Sequence, residues 1–174
     1  EQMTDLKKKT AVMKDIAKFM RYEGLDTEAV GVLTHALDAA YPMKSSYDKT
    51  VFFAGVARDF KELGQIAQSN GILDQAVGIT ERITYKSEKI RSMTAVARAY
   101  RELGYAKKAD ALLTRTLASA SELSPSYDKA ALYTGIAAEK QRIGQIKEAH
   151  MLLLKAFVMA KDIPSRSFRN SALE

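Results

Sequence analysis

Apolar residues recur at helical spacing through the segment 89–120. Over residues 89–102 they stand at i, i+3, i+6, i+7 and i+10, which is the stripe of one amphipathic helix. Gly104 follows, and glycine commonly ends a helix by entering the left-handed conformation. A second stripe of the same kind runs from Ala106 to Ala120, so the pattern predicts two antiparallel helices. The first stripe is made of Ile90, Met93, Val96, Ala97 and Tyr100.

The same pattern recurs every 40 residues along the chain. Gly24, Gly64, Gly104 and Gly144 mark it, and sequence similarity of fixed period is typical of repeat architectures. We therefore predict one repeat domain over 1–174, with units at 9–48, 49–88, 89–128 and 129–168 and short flanks at 1–8 and 169–174. No segment shows the alternation of a β-strand. The second helix of the second unit is the weakest, because it contains two glycines, yet its apolar residues stay in phase.

Small residues stand where the two helices of each unit would cross. Helix axes that approach to about 8–10 Å leave room only for small side chains at the crossing. Regular crossings in four successive units predict an all-α, right-handed α-solenoid of antiparallel helix pairs. The residues are Ala17, Ala57, Ala97 and Ala137 on the first helices, with Ala29, Ser69, Ala109 and Ala149 on the second helices.

The order of small, bulky, glycine, alanine and leucine positions resembles the tetratricopeptide repeat (TPR) over 9–168. The units depart from that family in length, since its repeat has about 34 residues. Its tryptophan is replaced by Met13, Phe53, Met93 and Tyr133, and Lys140 interrupts an otherwise aromatic or bulky column. The resemblance implies a concave groove that is lined by the first helix of each unit and binds an extended peptide or a partner helix.

Basic residues occupy many of the positions that the resemblance assigns to the groove. Columns of adjacent units become spatial neighbours, so these cations form a ladder suited to an acidic partner. The alternative stays open that Arg58 with Glu62, and Arg98 with Glu102, are i, i+4 pairs on a solvated surface. The asparagine columns of the family's carboxylate-clamp subgroup are absent, so that specificity is not transferred. The predicted groove residues are Lys14, Lys18, Arg21, Arg58, Lys61, Arg91, Arg98, Arg101 and Arg142.

The last helix carries bulky apolar residues where the earlier units have small or polar ones. These are Met151, Leu154 and Val158, at i, i+3 and i+7. Terminal repeats normally present a polar outer face, so we expect this helix to be covered. Self-association, including a homodimer, or a following repeat would cover it. The alternative is packing under 162–174, with Ile163 and Phe168 folded back.

Composition limits the remaining possibilities. The net charge of +6 lies in the second half of the chain, since the four units carry −1, 0, +3 and +4. An acidic protein or peptide is therefore the expected partner. A nucleic-acid-binding module is the alternative, although glutamates interleave the cations and stacking platforms are absent. A regulatory domain of a larger enzyme is a third possibility.

No pattern in the chain indicates chemistry. Cysteine is absent, and the two histidines, His35 and His150, lie in different units without a metal-binding partner at i, i+4. We therefore expect a chain that is not an enzyme and has no cofactor and no metal. No apolar run is long enough to cross a membrane, and a cytoplasmic location is favoured. Tyr47, Tyr85 and Tyr127 precede successive units and are expected to brace one helix pair against the next, with stacking on a ligand as the alternative.

Overall fold

A computed structural model describes residues 2–162, with side chains described from residue 5 to residue 161. That part of the chain is built of α-helices and contains no strand. The odd-numbered helices are the first helices of the four predicted units, and the even-numbered helices are the second. Ile163 and Phe168 lie outside the described residues. The helices are Gln2–Tyr22 (α1), Asp26–Ala40 (α2), Ser46–Glu62 (α3), Ile66–Glu81 (α4), Lys86–Glu102 (α5), Ala106–Ser121 (α6), Tyr127–Arg142 (α7) and Ile146–Asp162 (α8).

Each helix pair turns at the repeated glycine. Gly24, Gly64, Gly104 and Gly144 have φ angles of 78°, 72°, 81° and 88°, which side chains other than glycine rarely adopt. At the second turn the Gln65 N–H donates to the Phe60 carbonyl at 2.9 Å. This bond satisfies a carbonyl that the end of α3 leaves without an intrahelical donor. The glycine spacing therefore sets where the first helix ends in every unit.

The small residues meet at the crossings as predicted. All eight are buried, and the seven alanines among them belong to one continuous core. At the second crossing, where serine replaces alanine, the Ser69 hydroxyl donates to the Ala57 carbonyl at 2.6 Å. Because the four crossings have like surroundings, the units stack with a regular offset.

Stacking places first helices against first helices. α3 packs on α5 and α5 on α7, while α4 and α6 each contact the first helix of the following unit. The prediction of an all-α solenoid of antiparallel helix pairs is confirmed, including the weaker helix α4. The side-by-side first helices form one continuous wall, on which the candidate site lies.

Candidate functional site

A hollow of about 370 Å³ lies on the wall formed by α3, α5 and α7. Its lining comes from these first helices alone. Small and apolar residues face it, among them Val51, Ala95, Ala131 and Gly135. A surface that combines an apolar floor with a few polar groups is the usual composition of a binding site.

Three of the predicted cations surround this hollow. Arg58, Arg91 and Arg98 all line it, together with Glu102 and Tyr47. Each of these arginine side chains is about half exposed, so its guanidinium still reaches solvent. These three arginines are therefore the predicted groove residues that the structure brings together.

The other predicted cations lie along the same wall but do not line the hollow. Lys14 lies 3.7 Å from Asp59, and Arg21 binds Glu62. Lys61 donates to the Leu103 carbonyl. Lys18 is exposed on α1, and Arg101 and Arg142 point to Glu139.

The cations pair across units rather than along one helix. Arg58 binds Glu102 of the next first helix, whereas the sequence suggested Glu62. Arg98 binds Glu139 of the next first helix at 2.7 Å, whereas the sequence suggested Glu102. The stacking offset explains the difference, because it brings each cation opposite an acid one unit later. The pairs thus contribute to the stacking of units as well as to the surface charge.

One buried carboxylate organises the centre of this network. Glu139 is only 1% exposed and accepts from Arg98 at 2.7 Å, from Arg101 at 3.0 Å and from Arg142 at 2.6 Å. Burial by itself would raise the pKa of Glu139, but the hydrogen bonds from Arg98 and Arg101 outweigh it and lower the pKa. This carboxylate is therefore ionised at neutral pH.

The network keeps a positive surplus. Four arginines (Arg58, Arg98, Arg101 and Arg142) share two carboxylates (Glu102 and Glu139), so four positive and two negative charges leave +2. Charge-assisted bonds hold the guanidinium groups in place before a ligand arrives. A preorganised surplus of this kind attracts an anion at little cost in conformational entropy.

The predicted self-association residues lie on the outer side of α8. Met151, Leu154 and Val158 are all exposed. Leu154 and Val158 border a shallow hollow of about 400 Å³ that Lys129 and Tyr133 of α7 also line. This surface shares no residue with the hollow on α3, α5 and α7.

The linker tyrosines do not share one role. Tyr47 lines the groove, and its backbone N–H donates to Glu88 of the next unit at 3.2 Å. Tyr85 is largely exposed and borders a second hollow, which Tyr47 and Arg91 also line. The sequence favoured bracing over ligand contact for these residues, and it did not single out Tyr47 as the one that lines the hollow. The signal available was its position one turn before Val51 on the same helix face.

The described residues contain no arrangement suited to a metal ion or to a membrane span. No cluster of His, Cys, Asp or Glu among them could hold a metal ion. No helix of residues 2–162 is long and apolar enough to cross a membrane.

Comparison with solved structures identifies the architecture. A protein from Podosopora anserina described as a kinesin light chain with nearly identical TPR-like repeats superposes with a TM-score of 0.58 at 24% identity, over 90% of this chain and 77% of that one. The fold is that of TPR-like repeats. A point variant of the same protein gives a TM-score of 0.55 at 24% identity, over 86% and 74% of the two chains.

A further structural neighbour is more distant in sequence. BtubC (BKLC) from P. vanneervenii gives a TM-score of 0.51 at 16% identity, over 90% of this chain and 67% of that one. No family model matches this chain, and no curated protein matches it. The likeness to solved structures therefore shows the fold of this chain.

Proposed function

We propose that this chain acts by binding and not by catalysis, and that the hollow on α3, α5 and α7 receives an extended acidic peptide or the acidic face of a partner helix. The observation that carries the proposal is the surplus of +2 in the arginine network beside an apolar floor. Carboxylates of the ligand would accept from the exposed sides of Arg58, Arg91 and Arg98. Apolar side chains of the ligand would lie on Val51, Ala95 and Ala131.

Of the three arginines around the hollow, Arg91 is the most available to a ligand. Its only ion-pair partner among the described residues is Asp128, at 3.7 Å, and both side chains are largely exposed. An exposed pair at that distance contributes little free energy, so exchange of Asp128 for a ligand carboxylate costs little. Arg98, in contrast, is held by buried Glu139 and would bind a ligand without leaving its partner.

The test uses a short fluorescent peptide of alternating glutamate and leucine. A peptide of alternating lysine and leucine is the control of opposite charge. We expect the acidic peptide to bind, as measured by fluorescence anisotropy. Arg58→Gln combined with Arg91→Gln should weaken that binding about tenfold or more, which is about 1.4 kcal/mol. This pair leaves the Glu139 cluster intact.

The matched control removes two cations from the other surface of the molecule. Arg115 and Lys107 lie on α6, away from the hollow. Arg115→Gln combined with Lys107→Gln lowers the net charge equally and should leave binding unchanged. An equal loss of affinity for the acidic peptide in both variants, or equal affinity for the two peptides, would reject the hollow as the binding site. Binding of single-stranded RNA that is tighter than peptide binding and falls steeply with salt would favour the nucleic-acid alternative instead.

Self-association through the outer side of α8 is a second, separate proposal. It is favoured by the exposure of Leu154, which is 63% exposed, and of its neighbours Met151 and Val158. Leu154→Lys combined with Val158→Lys should convert a dimer to a monomer in sedimentation experiments if this surface is the contact. A dimer that keeps its mass after both substitutions would exclude it.

A further inference from the structure

The first helix exposes a face that is buried in the fourth unit. Val12, Ile16 and Phe19 of α1 are exposed, and Phe19 is 65% exposed. The corresponding residues of the fourth unit, Leu132, Ile136 and Glu139, are all buried. Glu139 bonds to arginines of the preceding unit, so this face is the one that receives a preceding unit. Among the described residues unit one has no such neighbour, and its apolar residues remain open.

The last helix exposes the complementary face. Leu153 of α8 is 39% exposed, whereas Leu113, its counterpart in the third unit, is fully buried. Phe157 is 66% exposed and Ala160 is exposed as well. These residues border a hollow of about 390 Å³, which is also lined by Tyr127 and by small residues of α7 and α8, among them Ala130 and Ala156. A bulky side chain from another molecule would fit there.

The charges at the two open ends are matched to each other. Between first helices, cations of one unit bind acids of the next, as Arg58 binds Glu102 and Arg98 binds Glu139. In the fourth unit, Ala138 and Gln141 stand at the positions that correspond to Arg98 and Arg101. These two positions therefore offer no cation to a following unit. In the first unit, the positions that correspond to the acids of the second unit carry no acid and so offer none to a cation of a preceding unit. Lys8, Phe19 and Tyr22 stand there in place of Asp48, Asp59 and Glu62.

We propose that the end face of α7 and α8 in one copy docks on α1 of a second copy, so that the chains stack head to tail and continue the solenoid. Bulky residues of α1 (Val12, Ile16 and Phe19) would enter the alanine-lined hollow beside Leu153 and Phe157. The occupant is a second copy because the last end lacks the cations of these ion pairs and the first end lacks the matching acids. A different unit with ordinary internal charges would leave its acids or its cations without partners when it docked.

The two faces are different surfaces, so the contact is heterologous and does not close on itself at two subunits. We expect the mass of the wild-type chain in sedimentation experiments to rise with concentration without reaching a fixed stoichiometry. Phe19→Lys blocks only the first end and Phe157→Lys blocks only the last end. Stacking and the contact through the outer side of α8 are alternative modes of self-association. Under stacking, each variant alone should be monomeric, because every contact needs one intact face of each kind.

The decisive measurement is the equimolar mixture of the two variants. Phe157→Lys retains the intact first end and Phe19→Lys retains the intact last end, so the mixture should form a heterodimer and nothing larger. A symmetric contact through α8 predicts otherwise, because Phe19→Lys would then assemble alone and the mixture would yield no heterodimer. That result would overturn the proposal, as would a wild-type chain that stays monomeric up to its solubility limit.

Two controls keep the result interpretable. Circular dichroism should show unchanged helicity in both variants, since Phe19 and Phe157 are mostly exposed. Leu154→Lys combined with Val158→Lys alters only the outer side of α8 and should leave head-to-tail assembly intact. Loss of assembly in that variant would assign the contact to the outer side and refute stacking. Peptide binding in the groove is measured independently and does not depend on either outcome.

Discussion

Asp59 and Glu139 lie at two different junctions between units, on equivalent faces of α3 and α7, yet their surroundings are opposite. Asp59 joins the second unit to the first and lies 3.7 Å from Lys14, and its Oδ2 atom has no hydrogen-bond partner. Glu139 joins the fourth unit to the third and accepts from three arginines. Both carboxylates are buried. A buried carboxylate at a junction can therefore stabilise or destabilise the fold, and the number of hydrogen-bond donors around it decides which.

The pKa values of the two carboxyls move in opposite directions for this reason. Burial raises the pKa of Asp59, and the charges of Lys14 and Lys18 offset it only in part. At Glu139 burial acts in the same direction, but arginine hydrogen bonds reverse the result and lower the pKa. The first junction is also less extensive, since α1 contacts α3 over less of its length than α5 contacts α7. We expect the first unit to be held less firmly than the fourth.

The largest effect is expected from Glu139→Gln. The change removes the charge that holds three arginines and should lower the free energy of unfolding by about 2 kcal/mol, less than for a fully buried pair because the arginines can rehydrate. Urea denaturation at neutral pH measures it. The control is Glu122→Gln, the same chemical change in an exposed pair with Lys86, which should have a much smaller effect because water screens such pairs.

The pH dependence of the Glu139 effect has a defined sign. Since the folded pKa of Glu139 lies below the ordinary value of 4.5, its contribution is fully present above pH 4.5. It is lost as the pH falls through the folded pKa. The difference between the wild type and Glu139→Gln should therefore shrink below pH 4.5. A difference that stays constant down to the acid transition would show that the carboxylate acts by shape and not by charge.

A smaller difference in stability loss is expected between Arg101→Gln and Arg21→Gln, which alter equivalent positions of the third and first units. Arg101 bridges Glu102 at 3.2 Å and Glu139 at 3.0 Å, and its side chain is 25% exposed. Within the part of the chain that the structure describes, Arg21 has one ion-pair partner, Glu62, and both of these side chains are more exposed than that of Arg101. We expect Arg101→Gln to cost about 1 kcal/mol and Arg21→Gln less than about 0.5 kcal/mol. Equal losses in thermal unfolding would contradict the difference between the junctions.

The sequence predicted the helices, their pairing and the glycine turns, because each depends on residues close together in the chain. It also predicted that cations of neighbouring units form columns. It did not predict the partner of each cation, since Arg58 meets Glu102 and not Glu62 only after the stacking offset is known. The apolar floor of the groove was also missed, because Ala95 and Gly135 have no distinctive pattern.

Lys140 shows the same limit at a single position. In the sequence it interrupts a column that holds Phe60 and Tyr100. In the structure it is buried, and its Nζ lies 2.7 Å from Asp110 and 2.7 Å from Glu148. Burial alone would lower the pKa of Lys140, but the hydrogen bonds to these two carboxylates raise it. The residue that departs from the repeat is therefore an ion-paired link between the third and fourth units, which no local pattern reveals.

The smallest expected effect is a gain of stability from Asp59→Asn. The folded pKa of Asp59 lies above its ordinary value of 3.8, so above the folded pKa the ionised carboxylate costs stability. Below pH 3.8 it is protonated in both states and the cost vanishes. Asp59→Asn should thus raise the free energy of unfolding at pH 7 by less than about 1 kcal/mol, because Lys14 loses a partner at the same time. The gain should shrink as the pH falls toward 3.8, whereas Asp15→Asn, on the exposed side of α1, should change little. A loss of stability in Asp59→Asn at neutral pH would mean that the bond to Lys14 outweighs burial, and that the first junction resembles the last.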